Sequence, residues 1–211
     1  GSGKTTTLRM IMNMILPDHG DITVFGRRSS SAARDEVGYL PEERGLYKKM
    51  AVRDVLRFLA ELKGVDRRTA DMRIAEWLER LSLRTAEKDW GKSKVEELSR
   101  GMQQKLQIAA TIIHEPEMVI LDEPFQGLDP VNVDLVRTLI RELRSEGKTI
   151  ILSAHEMHLV ETLCERIALI NRGRIVLNGD LAEIKRQFSP NALEIAPFVG
   201  VAGQPGVARS E

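Results

Sequence analysis

The first six residues of the chain carry the residue types of a phosphate-binding loop. They read Gly1-Ser2-Gly3-Lys4-Thr5-Thr6 and match the last part of the pattern G-x-x-x-x-G-K-[ST]. In that pattern a bend of backbone N–H groups wraps the phosphates, Lys reaches the β- and γ-phosphates, and Ser or Thr holds Mg²⁺. The first glycine of the pattern would precede residue 1. We therefore expect a nucleotide-binding protein whose N-terminus is missing, together with the strand that carries such a loop.

A second candidate site is a pair of acids at the end of a short apolar run. Residues 118–121 read MVIL, and Asp122, Glu123 and Pro124 follow. The run predicts a buried parallel strand, and ligands of open α/β sheets bind at the carboxyl ends of the strands. Two acids suit nucleotide hydrolysis, because Asp122 can hold the Mg²⁺ shell while Glu123 orients and polarises the attacking water. An ordinary strand-to-loop edge explains two acids equally well, so this motif alone does not decide.

A third motif, LSRGMQQ at residues 98–104, precedes a helix pattern for which Ser99 is a suitable N-cap. Together the motifs resemble the ATP-binding subunit of an ABC transporter. LSRGMQQ is similar to the family's signature loop, usually LSGGQ, and MVILDEP to its second acidic motif. Residues 126–129 (QGLD) resemble the D-loop, and residues 152–155 (LSAH) resemble the segment with the switch histidine. The motifs stand in family order, and the resemblance covers roughly residues 1–180.

The resemblance implies how nucleotide is held. Two cassettes of this family face each other head to tail and enclose two ATP molecules. One cassette would bind the phosphates through residues 1–6, with Thr5 and Asp122 among the Mg²⁺ ligands. The opposite cassette would supply Ser99 and Gly101 to the γ-phosphate.

The resemblance also implies roles in hydrolysis. Glu123 would be the base for the attacking water, and His155 would contact the γ-phosphate and fix both the water and the base. Asp129 of the D-loop would orient groups across the dimer, although a solvated turn acid is the simpler interpretation of an aspartate there. The three other histidines lack motif context, and we expect structural or surface roles for His19, His114 and His158.

The chain departs from the family pattern in its Q-loop, its signature loop and its D-loop. Met102 replaces a glutamine of the signature, and Gln126 stands where the D-loop commonly has serine. Residues 38–47 (GYLPEERGLY) stand where the family has its Q-loop, and Glu42 replaces glutamine there; it can still ligate Mg²⁺. Arg100 replaces a signature glycine, so we expect φ to stay negative at that position. Glu42 and LSRGM together are similar to exporter cassettes of the sodium-efflux or multidrug type, which serve separate membrane subunits. The segment Pro41–Val52 is expected to couple the ATP site to that subunit, through exposed side chains of Leu46, Tyr47 and Met50. The alternative is that these three side chains only cap the core of the helical subdomain.

Composition excludes several classes of protein. Lys plus Arg is 31 and Asp plus Glu is 31, so the chain has no basic excess that would indicate a nucleic-acid partner. The single cysteine, Cys164, excludes a disulfide framework and is expected to pack rather than react. No apolar stretch reaches the ~18 residues of a membrane span. We expect a subunit bound peripherally to the cytoplasmic face of the cell membrane.

Strand and helix patterns predict an α/β fold. We expect helices at 7–15, 52–63, 69–81, 99–114 and 181–188, strands at 21–25, 149–153, 167–170 and 175–177, and a hairpin turn at 171–173.

The resemblance specifies a P-loop NTPase of the RecA-like type. Its parallel sheet would be wrapped by helices, carry an inserted α-helical subdomain, and lack its first strand or strands. We expect a first core part at 1–50, a helical subdomain with the signature motif at 51–116, and a second core part at 117–180. Residues 181–211 would form a C-terminal tail. Its segments 192–195 and 206–209 could be strands of a truncated accessory domain, but a solvated, poorly ordered end is the simpler expectation.

The function implied is an ATP-binding and ATP-hydrolysing subunit that powers transport, with export favoured, by a separate transmembrane permease. Its ligands would be ATP and Mg²⁺, and its partners a second ABC cassette and that permease. Two alternatives stay open at this stage: an ABC-type ATPase acting in translation or DNA repair, and a non-hydrolysing cassette with a regulatory role. Because half of the phosphate loop is missing, we expect the 211-residue chain itself to be a poor ATPase.

Overall fold

The computed structural model describes residues 1–28, 35–43 and 45–188. Its helices are α1 (Lys4–Ile11), α2 (Val52–Leu62), α3 (Arg67–Arg80), α4 (Arg100–Ile112), α5 (Pro130–Ser145), α6 (Met157–Leu163) and α7 (Leu181–Phe188). Its strands are β1 (Thr23–Val24), β2 (Arg27–Arg28), β3 (Val37–Leu40), β4 (Met118–Asp122), β5 (Thr149–Ser153), β6 (Arg166–Asn171) and β7 (Arg174–Asp180). None of the helices in this described part combines the length and apolarity that a bilayer crossing requires.

A three-stranded parallel sheet positions the acidic motif. The strand order is β3-β4-β5, so β4 is central, and Asp122 pairs in register with Ser153 of β5. Four of the five residues of β4 are buried, as a strand covered on both faces requires. The carboxyl end of β4 therefore presents its acids at the sheet edge where ligands of α/β proteins bind.

Helices α2, α3 and α4 share one hydrophobic core with the parallel sheet. Helices α2, α3 and α4 contribute fully buried side chains, among them Leu56, Ile74, Leu78 and Leu106. Helix α3 has Asp66 as its N-cap, and the side chain of Asp66 accepts a hydrogen bond from the backbone N–H of Thr69 at 3.1 Å. Helix α4, which begins at the signature motif, packs on β3. The side chain of Gln104 in α4 also donates a hydrogen bond at 3.0 Å to the carbonyl of Pro124, which follows β4.

Most predicted elements are confirmed, and three have clearly different bounds. The strand predicted at 175–177 extends over Arg174–Asp180. The first helix, predicted at residues 7–15, begins at Lys4 and ends at Ile11, because Asn13 turns into the left-handed region at φ 52°. The strand predicted around 21–25 is shorter, because Phe25 and Gly26 form the turn between β1 and β2.

The predicted hairpin turn lies between β6 and β7, with positive φ at Arg172 and Gly173. The helix expected after Asp180 is α7. The strands considered at 192–195 and 206–209 lie outside the described residues.

Candidate functional site

The phosphate loop is fixed at its glycine and at the start of α1. Gly3 adopts φ 105°, a conformation that favours glycine, and its carbonyl accepts hydrogen bonds from the backbone N–H and the hydroxyl of Thr7. On the other side, the carbonyl of Ser2 accepts a hydrogen bond from the N–H of Gly173 at 2.9 Å. The turn between β6 and β7 thus supports the phosphate loop. The sequence motifs did not predict this support.

The structure brings the loop and the acids into one pocket of about 290 Å³. The N-terminus of α1 opens into it, where free backbone N–H groups and the helix dipole favour an anion. The pocket combines a basic side chain, hydroxyls, backbone N–H groups and three carboxylates. Its lining residues are Gly1, Ser2, Gly3, Lys4, Thr5, Thr6, Glu42, Asp122 and Glu123.

Asp122 is oriented by a serine on the neighbouring strand. The hydroxyl of Ser153 donates a short hydrogen bond to Oδ1 of Asp122, and Ser153 in turn accepts from the backbone N–H of Glu123, at 3.1 Å through its hydroxyl and at 3.2 Å through its carbonyl. Asp122 is 1% exposed, yet its Oδ2 has no hydrogen-bond partner among the described residues. A buried carboxylate oxygen costs free energy when left unpaired. This atom is therefore suited to a cation.

Glu123 is held in an unusual backbone conformation. Its φ is 51°, which is rare for a residue with a side chain and is often found at functional sites. Its Oε2 lies 2.8 Å from Nδ1 of His155, and its Oε1 lies 3.9 Å from Nζ of Lys4. The carboxylate is therefore aimed between the phosphate loop and the histidine.

The oxygen atoms that line the pocket fit Mg²⁺ better than a cation that takes all of its ligands from the protein. Asp122 supplies a free oxygen, Thr5 a hydroxyl and Glu42 an exposed carboxylate at the same pocket. Within the described ranges no three His, Cys, Asp or Glu side chains form a ligand cluster. Mg²⁺ commonly takes one or two carboxylates and completes its shell with water and substrate phosphates.

The signature and D-loop residues lie outside this pocket. Ser99 is the N-cap of α4 and its hydroxyl accepts a hydrogen bond from the N–H of Met102 at 3.3 Å. Asp129 is the N-cap of α5, and the hydrogen bonds that it accepts from Asn132 lower the pKa of its carboxyl. Neither residue lines the phosphate pocket of its own chain, and neither does Gly101. Arg100 begins α4 with a negative φ, as expected.

The remaining singled-out residues are structural or on the surface. His114 lines a separate cleft, and burial lowers its pKa from 6.5 to about 4. His19 is exposed, and the exposed His158 lies 3.7 Å from Glu156. Cys164 packs partly buried against the core, and burial raises the pKa of its thiol.

The parallel sheet, the glycine-led loop that enters a helix, and the paired acids at the end of β4 define a P-loop nucleotide-binding protein. Comparison with known proteins narrows this class. The ABC transporter family model matches residues 1–126. A solved structure described as the ATP-binding subunit of an ABC transporter superposes with a TM-score of 0.79 and 30% identity, over 89% of this chain and 78% of the other. The chain therefore belongs to the ABC transporter family and is similar to the ATP-binding subunits of such transporters.

Three curated relatives support this assignment. The chain is 46% identical over 195 residues to the uncharacterized ABC transporter ATP-binding protein YhaQ of Bacillus subtilis, covering 92% of this chain and 64% of YhaQ. It is 42% identical over 212 residues to an uncharacterized ABC transporter ATP-binding protein, BpOF4_11395, of Alkalihalophilus pseudofirmus, covering 99% of this chain and 78% of that protein. It is 34% identical over 187 residues to the linearmycin resistance ATP-binding protein LnrL of Bacillus subtilis, covering 87% and 59%. The chain thus spans less than two thirds of YhaQ and LnrL.

Proposed function

We propose that this protein hydrolyses Mg²⁺–ATP at the pocket between the phosphate loop and the end of β4. The observation that carries the proposal is the pair of acids there. Asp122 keeps one buried oxygen free, and Glu123 beside it is fixed by His155. One acid is thereby available to a cation and the other to a water molecule, which is the division of labour that phosphoryl transfer to water requires.

The chain's own residues divide the remaining work. Lys4 and the N–H groups of residues 1–6 bind the phosphates, and Thr5, Asp122 and Glu42 would hold Mg²⁺. When bound, the ion neutralises charge that develops on the transferred phosphoryl group. Glu123 orients the attacking water and accepts its proton.

We assign Ser99, Gly101 and Asp129 to the ATP of a second cassette. The support for this assignment is their position, because none of the three lines the pocket of its own chain. Ser99 and Asp129 are exposed, so a facing molecule can reach them. A head-to-tail dimer would bring these groups to the γ-phosphate, and ATP would act as the link between the two cassettes.

The proposed membrane partner docks on an apolar cleft of about 600 Å³ near the Q-loop position. Leu46, Leu59 and Leu62 from the helical side and Met12 and Met14 from the end of α1 line this cleft. A cytoplasmic helix of a permease with apolar side chains would fill it. This partner would hold the protein at the cytoplasmic face of the cell membrane.

The segment expected to touch this partner is only partly exposed. Leu46 and Met50 are partly buried against the core, so the expectation of three exposed side chains is wrong for these two. Tyr47 remains 50% exposed and packs edge-on against the exposed ring of Phe58 at 5.5 Å between centroids. Cysteine crosslinking from position 47 to the permease should succeed in the assembled complex, and a failure there would move the docking site elsewhere.

Export is the direction that we propose. The support is the likeness of Glu42 and LSRGM to exporter cassettes, together with a relative named for resistance to linearmycin. The two alternative functions have less support. A purely regulatory cassette has no need of the Glu123–His155 contact, and equal numbers of basic and acidic residues give no charge surplus for a nucleic-acid partner.

Two further expectations stay proposals. The first is the division of the chain at residues 50, 116 and 180. The second is slow turnover by the 211-residue chain alone, with an ATP affinity well below that of the complete protein. In the described part of the structure β5 is hydrogen-bonded only to β4, so one of its edges is free beside the site. Calorimetry of ATP binding tests the second expectation.

Asp122→Asn tests the proposed chemistry. The amide keeps the shape of the side chain but replaces an anionic oxygen with a neutral group. We expect Mg²⁺-dependent ATP hydrolysis to fall by about 10²-fold or more, and ATP affinity to lose its dependence on Mg²⁺. Hydrolysis at the parent rate with an unchanged Mg²⁺ requirement would refute the assignment of Asp122.

A further inference from the structure

Asn132 satisfies both oxygens of the D-loop carboxylate. Its side-chain Nδ2 donates a hydrogen bond to Oδ2 of Asp129 at 2.6 Å, and its backbone N–H donates to Oδ1 at 3.0 Å. The backbone bond is an ordinary helix cap. The side-chain bond is additional, and it fixes the rotation of the carboxylate.

The same side chain lies close to the signature motif. A Cβ placed on Gly101 would lie 3.3 Å from Nδ2 and 3.9 Å from Cγ of Asn132. Gly101 does not have a positive φ, so its backbone does not require glycine. The close approach of Asn132 therefore gives a reason for the missing side chain at this position.

A second residue of α4 faces the same acid. Lys105 follows Gly101 by one helical turn and is 8% exposed. Burial lowers the pKa of its ammonium group, while the attraction of Asp129 acts in the opposite direction. The start of α4 thus meets the D-loop both through a steric contact and through a charge.

We propose that Asn132 is a positioning residue that ties the signature motif to the D-loop within one cassette. Gly101 and Asp129 would then be presented to the opposite cassette's ATP as one unit. The inference rests on the proposed head-to-tail dimer. The simpler interpretation is that Asn132 only caps α5, and that interpretation assigns no function to its side chain.

Asn132→Ala separates these interpretations, because it keeps the backbone cap and removes only the side chain. The test uses ATP-driven dimerisation of the protein in a Glu123→Gln background, followed by sedimentation. We expect the ATP-bound dimer to weaken by about tenfold or more, while the ATP affinity of the monomer and the unfolding midpoint change little. Thr138→Ala, on the exposed side of the same helix, is the matched control and should dimerise like its parent.

Two further variants sharpen the test. Asn132→Asp keeps the shape but sets a carboxylate against Asp129, so we expect weaker dimerisation than with alanine. Gly101→Ala forces a methyl group against Asn132, and its effect should shrink at least threefold when Asn132 is already alanine. Non-additivity of this kind is expected only of residues that act through a shared contact.

The possible outcomes separate the two proposals. If the Glu123→Gln parent does not dimerise with ATP, the dimer model is wrong and this inference is wrong with it. If the parent dimerises and Asn132→Ala dimerises equally well, only the inference is overturned. Independent, additive effects of Gly101→Ala and Asn132→Ala would overturn it as well.

Discussion

Nδ1 of His155 lies 2.8 Å from Oε2 of Glu123, and this contact joins two motifs separated by 32 positions in the sequence. An ionised carboxylate can only accept, so Nδ1 carries the proton of this hydrogen bond. The bond holds the carboxylate toward the phosphate loop, and it leaves the second ring nitrogen, Nε2, available to a nucleotide. The histidine is exposed, whereas the side chain of Glu123 is 13% exposed, so the contact closes the open side of the acid.

His155→Ala should therefore slow ATP turnover far more than it weakens ATP binding. Without the imidazole, Glu123 loses the contact that fixes it at the site, and we expect a loss of about 10²-fold in kcat. Steady-state phosphate release and equilibrium ATP titration provide the two numbers. His158→Ala, on the exposed surface three residues later, should retain the parent rate. Equal loss in both variants would show that the segment matters only as a whole.

Ser153→Ala should disturb both acids through the loss of one hydroxyl. The buried hydroxyl donates to Oδ1 of Asp122 and accepts from the backbone N–H of Glu123. Its removal takes the donor away from the buried Oδ1 of Asp122, while the N–H of Glu123 keeps only the carbonyl of Ser153 as its acceptor. We expect a loss of about 1–3 kcal/mol in the free energy of unfolding and a higher Mg²⁺ requirement for hydrolysis.

Denaturant titration and an Mg²⁺ titration of the rate test this prediction for Ser153. Ser145→Ala is the matched control, because its hydroxyl donates to a carbonyl at an exposed helix end. If Ser153→Ala keeps the stability and the Mg²⁺ dependence of the parent, the hydroxyl does not orient the acids.

Gly38→Ala should destabilise the sheet next to the site. A Cβ at this position of β3 would lie 2.3 Å from the carbonyl oxygen of Thr111 in α4, which is closer than any real contact. The strand and the helix would have to separate, at a cost of about 1–3 kcal/mol or more. Gly45→Ala meets no atom within 4 Å and serves as the control in thermal unfolding. An unchanged midpoint for Gly38→Ala would mean that α4 does not pack on β3 this closely.

Stability should fall in mild acid because of His114. Its pKa is about 4 in the folded protein, chiefly because of burial, whereas an unfolded histidine has a pKa near 6.5. Between these values the unfolded chain binds more protons, so folding stability decreases as pH falls from about 6.5 toward 4.

The His114 effect should stay below about 1.4 kcal/mol per pH unit, because one histidine takes up at most one proton on unfolding. Denaturant titrations of the parent and of His114→Gln at several pH values measure it. His114→Gln should remove this component, while His19→Gln, at an exposed position, should keep it. The same pH dependence in the parent and in His114→Gln would contradict the assignment.

The sequence predicted those parts of the site that motifs encode locally. Lys4, Thr5, Asp122 and Glu123 line one pocket, as their motifs indicated, and β5 has the predicted bounds of 149–153. A local motif specifies these residues because the loop and the strand end carry their own geometry. The exact start of α1 was less predictable, since it depends on the left-handed φ of Gly3 and on its contact with Gly173.

Residues that act through tertiary contacts were not predicted. Ser153 precedes the switch histidine by two positions, and its role depends on the parallel register that sets it opposite Asp122. Asn132 reads in sequence as an ordinary helix residue, and its importance appears only when Gly101 is found against it. For Ser153 the sequence offered one signal, a small polar residue in an apolar strand next to the histidine motif. For Asn132 the sequence offered no signal.

The most direct test of the account is the rate of phosphate release by Glu123→Gln, made in the complete protein, at saturating Mg²⁺–ATP. The glutamine keeps the size of the side chain and its contact with His155, but it cannot accept a proton from water. We predict a rate at least about 10²-fold below that of the parent, with ATP affinity retained. A Glu123→Gln variant that releases phosphate at the parent rate would contradict the assignment of Glu123 as the base.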